Sequence, residues 1–179
     1  MKKFFVFSLV ALSVIFLNIA VSFAAGLQDF EEDNGTPDDY FFEVWNCEPL
    51  FDEETVHAGD TSLRVEVFED GGTVGINVAN EDGYVDLSRA NKISIWVYDT
   101  QGNNTIELRL KDIDGNGGSG GDGNALWSQK KARKNKWAKV EWDLSLYPEV
   151  EDLDLTSIAT LELFEYNEGI YYFDDLEFE

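Results

Sequence analysis

One short stretch of the chain carries the oxygen-bearing side chains of a calcium loop. Asp112, Asp114 and Asn116 alternate and are followed by Gly117, as at the start of a helix–loop–helix calcium site. The twelfth position of such a loop needs a glutamate that grips the ion with both oxygens, and here it is Gly123. The flanking residues alternate as strands do. We therefore predict a flexible, glycine-rich hairpin here, with weak calcium binding as the alternative.

A second group of residues has the chemistry needed to bind sugars. Neutral sugars offer C–H faces to aromatic rings and hydroxyls to polar side chains. Trp96 and Tyr98 alternate with Ile93, Ile95 and Val97, so the two rings point outward if the aliphatic residues are core. Coverage of these rings by loops, or a second minor core, is the alternative. The candidate carbohydrate-binding residues are Trp96, Tyr98, Arg109, Trp127, Phe164 and Tyr166.

Three other tryptophans and a basic run complete the set of residues that could bind a ligand. We predict that Trp137 and Trp142 are packing residues, and the pattern around Trp45 assigns it to neither face. The run over 130–136 is rich in lysine and arginine. It is predicted to be a solvated hairpin that offsets nearby acids, with an anion contact, for instance to uronic-acid sugars, as the alternative.

The charge balance and the rare residues exclude several classes of protein. The chain has 36 acidic and 13 basic residues and a formal net charge of −23 at pH 7, so we expect neither nucleic acid nor anionic membranes as partners. Cys47 and His57 are the single residues of their types, which excludes an internal disulfide and a multi-histidine zinc site. No phosphate loop occurs, and acids this abundant identify no catalytic pair. We predict that the protein is not an enzyme.

The elements that would position these residues are strands. Apolar and polar residues alternate with a period of two over 63–67, 93–97 and 161–166, and turn sequences rich in Gly, Asp and Asn separate such runs. No long segment carries a helical stripe. The pattern predicts an all-β fold, an antiparallel β-sandwich or jelly roll of about eight to nine strands in two sheets. We expect one domain over residues 26–179.

Residues 1–24 are typical of a secretory signal peptide. Lys2 and Lys3 precede an apolar run over 4–23, and Ser22-Phe23-Ala24 offers small residues at the two positions that a signal peptidase reads. We expect cleavage after Ala24, no membrane segment in the mature form, and a secreted protein that is extracellular or periplasmic. An uncleaved anchor is the alternative because the apolar run is long for a signal peptide.

Five fragments, in this order, resemble the jelly-roll (galactose-binding-like) carbohydrate-binding modules over nearly the whole mature chain. They are Asp29-Phe30-Glu31, HAGDTSLRVEV from His57, VDLSRANKISIWVY from Val85, KWAKVEWDLS from Lys136 and YYFDDLEF from Tyr171. The resemblance implies a non-catalytic protein that binds a poly- or oligosaccharide on a concave sheet face, and we expect a monomer. The alternative function is an extracellular surface or matrix adhesion module that contacts a protein. A deeper groove lined by Trp96, Tyr98 and Arg109 would favour sugar, and a flat apolar patch with no polar rim would favour protein.

The same resemblance implies a structural calcium ion at the edge of the sandwich. Carried over residue by residue, its ligands would be Glu31, backbone oxygens around Gly59 and Asp60, and the carboxylate of Asp174. Calcium takes about six to eight oxygen ligands, several of them carboxylates and carbonyls. Such an ion would tie the first strand to the last in a chain that has no disulfide. The alternative is that Glu31 and Asp174 are ordinary exposed acids.

Overall fold

The computed structural model of the chain describes residues 25–31, 41–69, 71–78, 84–102, 104–117, 125–128, 130–146 and 153–179. The predicted signal peptide (1–24) and residues 118–124 of the glycine-rich segment lie outside the described residues.

The described residues form twelve β-strands and two short 3₁₀ turns, Leu144–Leu146 and Leu155–Ser157. The strands are β1 (Ala25–Gln28), β2 (Phe41–Trp45), β3 (Cys47–Asp52), β4 (Ser62–Val67), β5 (Gly72–Asn77), β6 (Lys92–Asp99), β7 (Glu107–Asp112), β8 (Ala125–Trp127), β9 (Arg133–Lys134), β10 (Trp137–Asp143), β11 (Ile158–Glu165) and β12 (Gly169–Phe178). Within this part of the chain, no helix has the length and apolar content to span a bilayer.

The strands form two sheets. A seven-stranded sheet runs β10-β6-β12-β4-β3, with β1 beside β12 and β9 beside β6, and a five-stranded sheet runs β2-β5-β11-β7-β8. The pairs are antiparallel except for the two-residue β9, which runs parallel to β6. The predicted antiparallel sandwich is confirmed. There are more strands than predicted because β1, β8 and β9 are too short to show an alternating pattern.

The inward faces of the two sheets pack together in one core. The alternating aliphatic residues are buried, as predicted, and the residues between them in the sequence belong to the outer faces of the sheets. Trp142, predicted to be a packing residue, is 0 % exposed and donates its Nε1–H to the Ile106 carbonyl oxygen 3.3 Å away. The central residues of the core include Ile93, Ile95 and Val97 of β6 and Leu161 and Leu163 of β11, all 0 % exposed.

Strands β6 and β7 follow one another in the sequence but belong to different sheets. Arg109 of β7 therefore lies on a different sheet from Trp96 and Tyr98, and the three residues do not line one groove. Between the strands the chain crosses from one sheet to the other, and Asp99 fixes the start of the crossing because its carboxylate accepts the backbone amides of Gln101 and Gly102 at 2.7 Å. The outward side chains of β6 and β7 consequently lie on opposite sides of the sandwich.

The glycine-rich segment connects two paired strands, as predicted, because β7 and β8 form an antiparallel pair. Asp112 is buried, and its carboxylate accepts the amides of Asp114 and Asn116 at 3.1 and 2.8 Å. Gly117 has φ +88°, and a Cβ there would lie 2.1 Å from the Leu110 carbonyl oxygen, so this position requires glycine. Asp112 thus organises the turn with its own oxygens, and calcium binding by the loop stays a prediction.

Glu165 is an acid at a core position. It continues the inward parity of β11, is 0 % exposed, and neither carboxylate oxygen has a hydrogen-bond partner among the described residues. Burial raises the pKa of Glu165 well above its usual range, and the negative charge of Asp99 raises it further. The folded state therefore binds this proton more tightly than the unfolded state does. Stability should fall as pH rises from the ordinary glutamate pKa towards the folded one.

We predict that Glu165→Gln raises the melting temperature by several degrees at neutral pH, because the uncharged amide replaces a carboxylate that burial disfavours. Thermal unfolding followed by circular dichroism from about pH 4.5 to about pH 8 measures this effect. The difference from the wild type should grow with pH and be smallest at the acidic end. Glu168→Gln, at an exposed acid, is the control. A difference that does not change with pH would contradict the assignment.

Candidate functional site

A row of side chains crosses the outer face of the five-stranded sheet. In order across the sheet, the directly paired residues are Trp45, Thr73, Phe164, Glu107 and Trp127. Residues that are directly opposed on neighbouring strands point to the same face. Four strand spacings of about 4.8 Å make this row about 19 Å long. The pairing thus places a tryptophan on each edge strand and a phenylalanine between them.

The rings of this face form a continuous chain of contacts, the aromatic row, made of Trp45, Phe164, Tyr166 and Trp127. Trp45 stacks on Phe164 with ring centroids 6.2 Å apart, the Tyr166 and Phe164 rings meet at 4.4 Å, and Trp127 stacks on Tyr166 at 5.1 Å. Trp45, Trp127 and Tyr166 are 54 %, 45 % and 41 % exposed, whereas Phe164 is half-buried. Three large rings of the row are therefore open to solvent, and Phe164 lies between Trp45 and the other two.

Charged groups are built into the same face. The guanidinium carbon of Arg109 lies 4.9 Å from the Phe164 ring centroid, and its Nε lies 2.5 Å from Oε1 of Glu107. Glu107 is 1 % exposed and also accepts a hydrogen bond from the Tyr166 hydroxyl. Burial and the neighbouring Glu107 carboxylate raise the pKa of Tyr166 to about 12. The hydroxyl therefore stays protonated and holds the ring against the sheet.

A second ion pair lies beside the first. Lys111 of β7 pairs with Glu162 of β11, and Glu162 lies directly opposite Arg109 in the sheet register. On the other side of Glu162 the paired residue is Gly75, which adds no side chain to the face. The positive and negative charges of the two pairs match, although the chain has a formal net charge of −23. This face thus offers hydrogen-bonding groups without a local excess of charge.

Trp96 and Tyr98 lie on the outer face of the seven-stranded sheet. They point outward, as predicted, and both are half-buried. The imidazole of His57 stacks on the Trp96 indole with centroids 3.9 Å apart, and Tyr98 makes edge contacts with Trp137 at 5.8 Å and Tyr172 at 5.7 Å. The six candidate residues therefore divide into two groups, Trp96 and Tyr98 on one face and Arg109, Trp127, Phe164 and Tyr166 on the opposite face.

The positions of Trp137 and Trp45 were not evident from the sequence. Trp137, predicted to be a packing residue, lies half-buried on the outer face, where its ring contacts Tyr98 and not the core. The alternation that places Val140 and Trp142 in the core also places Trp137 outward. Trp45, left unassigned, is the most exposed ring of the aromatic row. Its strand is short and irregularly paired with β5, which breaks the alternation that would have shown its direction.

Two of the predicted calcium ligands contact the same loop, residues 57–60. Both carboxylate oxygens of Glu31 accept the Asp60 amide, at 3.0 and 3.1 Å. Asp174 is 0 % exposed and accepts the amides of His57 and Ala58 at 2.9 and 3.1 Å. Burial raises the pKa of Asp174 to about 6, although these two amides oppose the shift. Asp174 is therefore not the exposed acid of the alternative reading, and the loop links the end of β1 to β12.

The oxygen-rich chemistry of this region fits a calcium ion. Gly59 has φ +68°, and a Cβ there would lie 1.7 Å from Oε1 of Glu31, so the loop wraps closely around that carboxylate. Among the described residues, one group of three potential metal ligands has its ligand atoms within 4.8 Å of one another, and it consists of His57, Asp174 and Asp175. The imidazole is not a ligand that calcium prefers. An ion held by Glu31 and Asp174, with Asp60, stays a prediction.

Comparison with known proteins identifies the fold. No protein-family model matches the chain, and no curated protein matches it significantly by sequence. A family 30 carbohydrate-binding module has a TM-score of 0.61 at 12 % identity, covering 78 % of this chain and 82 % of its own. A family 11 module from Clostridium thermocellum, solved in complex with a β-1,3-1,4-mixed-linked tetrasaccharide, has a TM-score of 0.58 at 18 % identity, covering 87 % of this chain and 94 % of its own.

An enzyme structure is also similar. An exo-β-agarase has a TM-score of 0.59 at 14 % identity, and the match covers 86 % of this chain and 24 % of the agarase. At such low identities these similarities establish the fold, which is the jelly-roll sandwich of carbohydrate-binding modules. The resemblance carried by the five sequence fragments is therefore confirmed for the fold.

We predict that Tyr166→Phe lowers the free energy of unfolding by about 1–2 kcal/mol, because it removes a hydrogen bond to the buried Glu107 carboxylate while keeping the ring. Urea unfolding followed by tryptophan fluorescence measures this change. Tyr84→Phe is the matched control, since its hydroxyl makes no hydrogen bond among the described residues. Equal stability of Tyr166→Phe and the wild type would show that the Tyr166 hydroxyl does not support Glu107.

Proposed function

We propose that the protein is a non-catalytic carbohydrate-binding protein whose aromatic row binds a neutral poly- or oligosaccharide. The observation that carries this proposal is the set of three exposed rings, Trp45, Trp127 and Tyr166, which Phe164 joins into one row on one sheet face. Sugar rings present C–H groups that stack on indole and phenol faces. An extended glycan lying across the sheet would meet the rings in succession, because the row runs from one edge strand to the other.

The polar groups among the rings favour a sugar over a protein partner. Arg109 and Glu107 lie within the aromatic row, and Lys111 and Glu162 lie beside it. These groups offer donors and acceptors to sugar hydroxyls in fixed positions, since their ion pairs already hold them. A flat apolar patch without polar groups would have favoured the adhesion module. The matched charges favour a neutral glycan.

The same ion pairs support a binding role without catalysis. A glycosidase needs two carboxyl groups, one of which carries a proton when it acts as general acid. The two buried acids of this face, Glu107 and Glu162, are each held in an ion pair with a cation of the same sheet, which gives both a structural role. The proposal includes secretion directed by residues 1–24, because plant and microbial polysaccharides are extracellular ligands and the segment is typical of a signal peptide.

The structural neighbours suggest the first ligands to test. One neighbour was solved with a mixed-linked β-glucan tetrasaccharide, and another is an agarase. Mixed-linked β-glucan and agarose are both neutral polymers, as the charge pattern of the aromatic row requires. A panel containing these two and xylan would test the proposal directly.

We predict that Trp45→Ala and Trp127→Ala each weaken binding of the neutral glycan by at least about tenfold, because aromatic residues that a ligand covers dominate binding energies. Affinity electrophoresis in gels that contain the glycan measures the change. Both residues are exposed, so the melting temperature should change little. Trp137→Ala on the opposite sheet is the matched control and should bind as the wild type does.

Two outcomes would contradict the assignment. If Trp45→Ala and Trp127→Ala bind normally while Trp137→Ala does not, the neutral glycan lies on the seven-stranded sheet. If the wild type binds no neutral glycan of the panel, the aromatic row has another role.

The proposal also includes a structural calcium ion at the loop over 57–60, held by Glu31 and Asp174. We predict that EDTA lowers the melting temperature and that excess calcium restores it, because a ligand that binds the folded state alone stabilises it. Scanning calorimetry measures the shift. Glu31→Gln should melt lower than the wild type and respond less to EDTA, whereas Glu168→Gln should respond as the wild type does. A melting temperature that EDTA leaves unchanged would remove the ion from the proposal.

A further inference from the structure

A groove on the outer face of the seven-stranded sheet combines indole rings with positive charges. It encloses about 570 Å³, and its lining includes Trp96, Trp137, Lys130, Lys131, Arg133 and Lys139. Strand pairing sets three of these positions. In the β10–β6 pair, Lys139 lies opposite Trp96 and Trp137 lies opposite Tyr98. In the parallel β9–β6 pair, Arg133 is the partner of Tyr98. The sheet therefore holds both the rings and two of the cations in place.

The charge of this groove is opposite to that of the whole chain. Every ionisable residue in its described lining is a lysine or an arginine. Lys130 pairs with Glu141, and the Lys139 ammonium lies 2.9 Å from a Glu177 carboxylate oxygen and 3.6 Å from one of Glu179. Lys131 and Arg133 are exposed and form no ion pair with any described residue. Two positive charges are thus left uncompensated in a chain whose formal net charge is −23.

The rings of the groove are held in fixed orientations. The indole of Trp96 is stacked on one side by His57, whose Nδ1 lies 2.8 Å from Oδ2 of Asp175. Trp137 meets the edges of His57 and Tyr98, with centroids 5.5 and 5.8 Å apart. Because neighbouring rings already restrain both indoles, stacking of a ligand on them would cost the two tryptophan side chains little conformational entropy.

An anionic ligand is the one that this combination recognises. At about 0.15 M ionic strength the screening length is about 8 Å, so acids elsewhere on the chain repel such a ligand weakly. The cations in the groove act at contact distance, and a guanidinium matches the paired oxygens of a carboxylate or sulfate. The indoles require, in addition, a ring with a C–H face. A sugar that carries an anionic group satisfies both conditions.

We infer that this groove is a second glycan-binding site, which takes a polysaccharide bearing carboxylate or sulfate groups. Its sugar rings lie against Trp96 and Trp137, and its anionic groups contact Lys131 and Arg133. The site does not depend on the proposed neutral-glycan site, because the aromatic row lies on the other sheet. The basic run over 130–136 therefore acts in binding and is not only a solvated hairpin.

The test measures binding of the purified protein to polygalacturonate and to ι-carrageenan, whose anionic groups are carboxylates and sulfates, respectively. The wild type should bind at least one of them, with an affinity that decreases as salt increases. The double variant Lys131→Gln/Arg133→Gln should bind at least about tenfold more weakly, because it removes both uncompensated cations. Which of the two polysaccharides binds shows whether the groove prefers carboxylate or sulfate groups.

A matched control separates the groove from general electrostatics. Lys134→Gln/Lys136→Gln removes the same charge from the same exposed segment, but neither residue belongs to the groove lining given above. It should keep its affinity within about threefold of the wild type. Trp137→Ala should weaken binding to the anionic glycan, and Trp45→Ala should not. Polyglutamate, which carries carboxylates without sugar rings, should bind more weakly than polygalacturonate.

Four results would overturn the inference. They are binding of neither anionic glycan by the wild type, equal losses in the two double variants, unchanged binding by Trp137→Ala, and polyglutamate binding as tight as that of polygalacturonate. Failure of this inference can be told apart from failure of the proposed neutral-glycan site. Binding of a neutral glycan by Lys131→Gln/Arg133→Gln depends on the aromatic row alone, which this variant leaves intact. Thermal unfolding confirms that each variant is folded.

Discussion

Each strand of a sandwich carries side chains on two faces, and the core can bury only one of them. In β6 the aliphatic residues Ile93, Ile95 and Val97 take the inward face, so Trp96 and Tyr98 must face outward whatever their size. A register slip of one residue would exchange the two sets, which the buried core does not allow. The aromatic surfaces of this protein are therefore fixed by the same packing that stabilises the fold.

The two outer faces differ in how their charges are compensated. On the five-stranded sheet, Arg109 and Lys111 are paired with acids from the same sheet, and those acids are almost fully buried. On the seven-stranded sheet, the exposed Lys131 and Arg133 have no acid beside them among the described residues. Electrostatic complementarity sets specificity more than it sets affinity. Under the two proposals, similar aromatic chemistry serves neutral glycans on one face and anionic glycans on the other.

The sequence was sufficient to predict what local alternation encodes, but not which strands become neighbours. The direction of Trp96, Tyr98 and Phe164 and the burial of Trp142 followed from the period of two. The period contains no information about which sheet the next strand joins, so it could not show that Arg109 lies on a different sheet from Trp96 and Tyr98. The stacking of His57 on Trp96 is a long-range contact that no local pattern shows. Glu31 and Asp174, singled out by the ordered motifs, both contact the loop over 57–60, and their role as calcium ligands stays a prediction.

The position of the two faces limits how one glycan could use both. Packed sheets lie about 10 Å apart, and their outer side chains add to that thickness. A single extended segment therefore contacts either the aromatic row or the groove, and a chain that reaches both must pass around an edge of the sandwich. The groove lies at the β10 edge of its sheet, whereas the aromatic row reaches both edges of its own. Under the two proposals, simultaneous occupancy links two glycan segments through one domain, and the gain in avidity depends on the length and stiffness of the glycan between them.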